Sequence, residues 1–96
     1  VVIPAMNEEQ SIALVINDLP KARLLAIIVV DNGSIDQTAN IARQQGATVI
    51  SETKKGYGQA CLTGIEYALK FNPEHVIFVD ADYSDFAYSD FPHPPD

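Results

Sequence analysis

From Ala26 to Val30 the chain reads "AIIVV", apolar without a break, and then it meets Asp31. An apolar run with no alternation suits a strand covered on both faces, which is the strand type of parallel sheets. The pattern recurs as "VVIP" at the start, "ATVIS" at 47–51 and "HVIFV" at 75–79. Parallel neighbours cannot be joined by tight hairpins; each pair needs a longer crossover, usually a helix. The intervening segments supply them. Ile12, Val15, Ile16 and Leu19 recur at helical spacing behind Asn7, a capping residue followed by Glu8 and Glu9 in the first turn and Gln10 at the capping-box position, and Pro20 ends this helix. A second helix is expected from Asp36 to Gln45 with Gly46 as its left-handed stop, and a third from Gln59 to Phe71, closed by Asn72 and Pro73. The third carries Ala60, Gly64 and Ala68 at steps of four, a stripe small enough for close packing on a sheet. The fold class is therefore α/β, a mostly parallel sheet with flanking helices joined by right-handed crossovers.

With 96 residues the chain has room for one domain at most. The opening "VVIPAMNEEQ" has neither an initiator Met nor the basic start of a signal peptide, so the chain reads as an excerpt beginning inside a first strand, a truncated domain. No apolar run approaches the roughly 20 residues of a membrane span. A net charge of −7, with Lys54 and Lys55 the one basic pair, argues against nucleic acid as a partner, because phosphate neutralisation needs clustered Lys and Arg. Cys61 is alone, which excludes an intrachain disulfide and fits a reducing, cytoplasmic compartment. On a helix it reads as a small buried side chain rather than a nucleophile. The closing stretch holds a tandem echo, "DYSDF" then "AYSDF", followed by prolines at 92, 94 and 95, and 86–96 is expected to be a loop or irregular tail.

Ligands of open parallel sheets bind outside the carboxyl ends of the strands. Four polar clusters fall there: 4–8, 31–36, 52–58 and 80–85. Each has a plain structural reading too. Asp31 can begin a turn, Asp36 can cap a helix, Glu8 favours a helix dipole, and Lys54 and Lys55 can be a solvated pair, although a cation there would suit a phosphate. "GYGQACLTG" does not complete a dinucleotide fingerprint, because position 61 is Cys61 and the segment follows the third strand, not the first. What remains is a Gly-rich turn opening a helix, able to hold an anion on backbone N–H groups or simply to turn. In "VIFVDADYSD", residues two apart on a strand share a face, so Asp80 and Asp82 can meet one partner. Mg²⁺ or Mn²⁺ takes few protein carboxylates and keeps places for water and substrate phosphates, which suits this pair.

"VVIPAMNEE", "IIVVDNGSIDQTA", "GYGQACLTGIEYA" and "VIFVDADYSD", in this order and spacing, resemble the amino-terminal nucleotide-sugar half of family 2 glycosyltransferases with the GT-A fold, near the polyprenyl-phosphate sugar transferase type. The similarity runs nearly to Asp85 and implies a Rossmann-like nucleotide-sugar-binding domain at 1–85. By position it implies that Pro4, Ala5, Asn7 and Glu8 line the base and ribose pocket, that Asp31 reads the nucleobase, and that Lys55 and Gly56 lie along the nucleotide. Asp80 would sit near the ribose or metal and Asp82 would be the direct metal ligand. Asn32 stands where this block commonly has Asp. Dolichyl-phosphate mannosyltransferases carry a Gln two residues after the metal ligand; here it is Ser84, with Asp85 a candidate substitute. The implied reaction moves a sugar from a UDP- or GDP-sugar to an acceptor such as a polyprenyl phosphate at a membrane surface, with Mg²⁺ or Mn²⁺ stabilising the departing diphosphate. The base is expected beyond Asp96, so this chain alone would bind donor without completing catalysis.

Two other readings remain. One is a non-catalytic domain that binds nucleotide or nothing. The other is a response-regulator-like signalling domain, also acidic and α/β; its acids should gather after the first and third strands with a Lys after the last, whereas here the first strand leads into "PAMNEE".

Overall fold

The computed structural model describes residues 1–82 and the strand at 88–92. The elements alternate as β1 (Val2–Ala5), α1 (Ile12–Asn17), β2 (Ile28–Asp31), α2 (Thr38–Gln44), β3 (Thr48–Ser51), α3 (Tyr57–Ala68), β4 (His75–Val79) and β5 (Tyr88–Pro92), with short 3-10 turns at Lys21–Arg23 and Leu69–Phe71. They build one sheet in the order β3-β2-β1-β4-β5. The first four strands are parallel, and β5 is antiparallel to β4. The chain thus winds outward from β1 to β3, then returns to the other side of β1, so strand order reverses between β1 and β4. No described helix is long and apolar enough to cross a membrane.

The unbroken apolar strands are covered on both faces, as their composition requires. Ile3, Ala5 and Val29 face α1 and α2, joining Ile12, Val15, Ile16 and Ala42. Val2, Ile28 and Val30 point the other way, against Ala60 and Ala68 of α3. The small stripe on α3 is needed for this contact: a Cβ on Gly64 would stand 2.3 Å from Val2 Cγ1 and 3.1 Å from Val30 Cγ2. Helix α2 stops as expected at Gly46, whose φ is +91°. Gly46 N–H donates to Arg43 O (3.0 Å) and Ala47 N–H to Ala42 O (3.1 Å), the paired bonds of a left-handed helix stop.

Three expectations are corrected. Asn7 does not cap α1; it sits in the left-handed region at φ +55°, and the helix begins only after Ser11. The N–H groups of Asn7, Glu8 and Glu9 donate instead to Ser34 Oγ (2.9 Å), Thr38 Oγ1 (2.8 Å) and Asp36 Oδ2 (3.3 Å), so tertiary bonds replace a first helical turn. The alternation argument for Asp80 and Asp82 fails because β4 ends at Val79 and the two acids lie beyond it. Finally, the stretch expected as loop or irregular tail contains β5, which pairs Tyr88 with Val79 through to Pro92 with His75. The prolines argued against a strand, but Pro92 is the last residue of an edge strand, where a missing N–H is tolerated.

Candidate functional site

Pro4 explains why the sheet opens where it does. Val1 O and Ala5 O accept N–H bonds from Ile28 and Asn32, so odd-numbered residues of β1 serve the β2 side and even-numbered ones the β4 side. Pro4 faces β4 with no N–H to give. The β1–β4 pairing registers at Val2 with Phe78, and beyond it the strands part into a cleft of about 520 Å³ at the point where strand order reverses.

The cleft is lined by Pro4, Ala5, Met6 and Glu8 from the end of β1, by Asp80, Ala81 and Asp82 beyond β4, and by Asn32, Lys55, Gly56, Tyr57 and Ala60. Seven of the sequence-derived candidates therefore meet there: Pro4, Ala5, Glu8, Lys55, Gly56, Asp80 and Asp82. Asn7 and Asp31 stay outside the lining, and one side-chain oxygen of each is engaged in the loops. Asn7 Oδ1 accepts Ile35 N–H (2.8 Å), and Asp31 Oδ1 accepts Ser34 N–H (3.2 Å). Asp85 and Ser84 lie outside the described residues.

Asn32, singled out in the sequence only as standing where the family block commonly has Asp, is the main residue missed. It is 6% exposed, and its amide is fully used. Nδ2 donates to Glu52 O (3.0 Å) and Lys54 O (3.0 Å), while Oδ1 accepts Gly56 N–H (3.0 Å). An ionised Asp could satisfy the N–H but neither carbonyl, so the amide suits this place better. The Gly56 N–H is thereby engaged, and the positive end of this loop is the Lys55 ammonium rather than that amide. Glu52 secures the loop from its other side, accepting Lys54 N–H (2.9 Å) on Oε2 and the Thr63 hydroxyl on Oε1. The Thr63 hydroxyl, then the Lys54 N–H, hold the Glu52 carboxyl below its ordinary value against an opposing effect of burial.

Tyr57 opens α3 beside Cys61 and Asp80. Burial first, then the neighbouring Cys61 and Asp80, push its hydroxyl up. Burial also raises the Cys61 thiol, with Asp80 adding to the rise and the Tyr57 hydroxyl opposing it. A raised thiol is a poor nucleophile. Cys61 is only half-buried, so it is less a core residue than expected. Asp36 stands one residue before the N-cap of α2, Gln37, and its oxygens accept both the N–H (2.9 Å) and hydroxyl of Thr38 as well as the Glu9 N–H. Burial works to raise the Asp36 carboxyl, but these bonds together hold it low.

The charged side chains of the lining are three carboxylates, Glu8, Asp80 and Asp82, and one ammonium, Lys55. A polyanion entering this surface would meet an excess of like charge unless a cation came with it. Among the described residues no group of three or more His, Cys, Asp or Glu gathers to hold a metal. The donor chemistry of Asp80 and Asp82 nevertheless fits a hard divalent ion whose remaining places are taken by water and substrate oxygens.

Residues 1–86 match the family described as glycosyl transferase family 2. An uncharacterized glycosyltransferase of Mycobacterium tuberculosis is 39% identical over 84 residues, covering 88% of this chain and 36% of its own length. The 4,4'-diaponeurosporenoate glycosyltransferase of Staphylococcus aureus is 36% identical over 89 residues, 85% of this chain and 23% of that protein. Among solved structures, glucosyl-3-phosphoglycerate synthase from M. tuberculosis, in complex with Mn²⁺, UDP and glucosyl-3-phosphoglycerate, superposes with a TM-score of 0.66 at 29% identity, over 83% of this chain and 32% of that one. The chain spans about a third or less of the length of these relatives.

Proposed function

The chain belongs to glycosyl transferase family 2 and has the Rossmann-like architecture of GT-A glycosyltransferases, and from that premise we propose that it is the donor-binding part of an enzyme that transfers a sugar from a UDP- or GDP-sugar. The observation that carries the reading is the meeting of Asp80, Asp82, Glu8 and Lys55 in one cleft at the reversal of strand order. Family membership sets aside the signalling-domain reading.

In this proposal Pro4, Ala5 and Met6 form the floor under the nucleoside and Glu8 accepts hydrogen bonds from the ribose. Asn7 and Asp31 act at the nucleoside end through the loop bonds they make to 34–35. Lys55 places its ammonium against the diphosphate, and the loop bonds of Asn32 and Glu52 keep it there. Asp80 and Asp82 hold Mg²⁺ or Mn²⁺, with Asp85 a further candidate. When bound, the metal supplies charge stabilisation to the departing diphosphate. The acceptor is proposed to bear a phosphate, as a polyprenyl phosphate at a membrane surface does. The M. tuberculosis synthase, solved also with phosphoglyceric acid, supports that class. The acceptor's base lies outside this donor cleft, so residues 1–96 alone are expected to bind nucleotide without turnover.

Calorimetric titration of UDP and GDP, with and without Mn²⁺, tests this. One nucleotide should bind with Mn²⁺, and Asp82→Ala should weaken that binding about a hundredfold, or about 2.7 kcal/mol. Absence of metal-supported binding to the folded wild-type protein would sink the proposal.

A further inference from the structure

Ser11 occupies the N-cap of α1 but makes no side-chain cap bond, although Ser is a favoured residue there for that bond. Its hydroxyl is used elsewhere. It approaches Ala81 O at 2.6 Å, across 70 residues of sequence, and Glu8 Oε2 at 3.2 Å. A hydroxyl has one hydrogen, so the shorter approach defines the principal bond. Ala81 is 5% exposed and lies between Asp80 and Asp82, both of which are exposed. Among the described residues the Ser11 hydroxyl is the donor that this part-buried carbonyl meets.

The position of this bond matters because the sheet does not make it. Pro4 cannot donate to the β4 side, so past the Val2–Phe78 register the ladder gives the acidic turn no N–H from that residue of β1. We propose that Ser11 is a positioning residue that clamps the turn carrying Asp80 and Asp82 to the loop carrying Glu8, setting the spacing between the metal-holding and ribose-binding sides of the cleft. This rests on the donor-site reading above.

The test uses Ser11→Ala in the protein at its full natural length, with Ser11→Gly, a tolerated cap residue, should the alanine variant not fold, and Ser11→Thr as the conservative variant. Three quantities are measured: UDP affinity without metal, Mn²⁺ affinity in the presence of UDP, and amide hydrogen exchange of 79–82 with neither ligand. Loss of the hydroxyl should weaken Mn²⁺ binding about tenfold, the scale of a lost supporting contact. It should also speed exchange at 79–82 and leave metal-free UDP affinity within about twofold, well under the tenfold that 1.4 kcal/mol represents. Ser11→Thr should restore both. Unchanged Mn²⁺ affinity, unchanged exchange, an equal loss of metal-free UDP binding, or failure of Thr to rescue would each overturn the clamp. If wild-type protein binds no UDP at all, the donor-site reading fails, while the exchange comparison still judges Ser11.

Discussion

Two clefts of similar size open at opposite ends of the sheet. One, of about 520 Å³, lies at the carboxyl ends of the parallel strands; the other, of about 460 Å³, lies at their amino ends among Leu24, Leu25, Phe71, Pro73 and His75. Volume does not separate them, but the loops do. At the amino end the turns close on themselves within three residues, with Arg23 N–H to Pro20 O, Leu24 N–H to Lys21 O and Asn72 N–H to Leu69 O, and one longer bond runs from the Val1 amino group to Ala26 O (3.0 Å). At the carboxyl end the loops hold one another, with Asn7 tied to Ser34 and Ile35, Glu8 to Thr38, Asn32 to the 52–56 segment, and Ser11 to Ala81. A set of cross-tied loops presents its side chains at fixed spacing, which is what recognition of a shaped, charged ligand requires.

The largest expected effect separates those two kinds of loop. Asn32→Ala removes three part-buried hydrogen bonds, to two carbonyls and an N–H, and at about 1 kcal/mol each should cost about 3 kcal/mol in urea unfolding. Asn72→Ala, at φ +51° in a self-contained turn, should cost only about 1 kcal/mol for left-handed strain. Equal losses would break the distinction.

Next in size is the packing beneath the cleft. Gly64→Ala drives a Cβ into Val2, a stiff β-branched side chain. It should lower stability by about 2 kcal/mol despite better helix propensity, again by urea unfolding. Nucleotide binding then compares the ends directly. Lys55→Met should reduce UDP affinity about tenfold, the loss of one charge-assisted contact, while Glu74→Gln in the amino-end cleft should leave it within about twofold, measured by the same titration.

The smallest effect is in acid. Glu52 is held low in the folded protein chiefly by the Thr63 hydroxyl. A folded value below the unfolded one adds stability that is present above the unfolded pKa and lost as pH falls through the folded value. The contribution should therefore fade below about pH 4.3, where an unfolded Glu takes up its proton. Thermal melts of Glu52→Gln against wild type should differ at neutral pH and converge in this acid window.

The order and type of the parallel elements were legible in the sequence, because burial on both faces leaves unbroken apolar runs and helices leave a 3.6-residue period. So was the gathering of acids at the carboxyl ends of the strands, since parallel topology alone sends every such loop to one edge. β5 was not legible: local proline content spoke against it, and only the free edge of β4 gave it a partner.

Two asparagines carry the rest of the lesson. In the sequence Asn7 reads as a helix cap and Asn32 as a replacement for a common Asp. The fold made Asn7 a left-handed link to the neighbouring loop and buried Asn32 as the anchor of the loop that bears Lys55. Hydrophobic periodicity is local, so it already shows which residues reach the carboxyl-end edge. Which of them face the cleft and which hold others in place depends on the fold, because a hydrogen bond such as that from Ser11 to Ala81 joins residues 70 apart and leaves no mark on either local pattern.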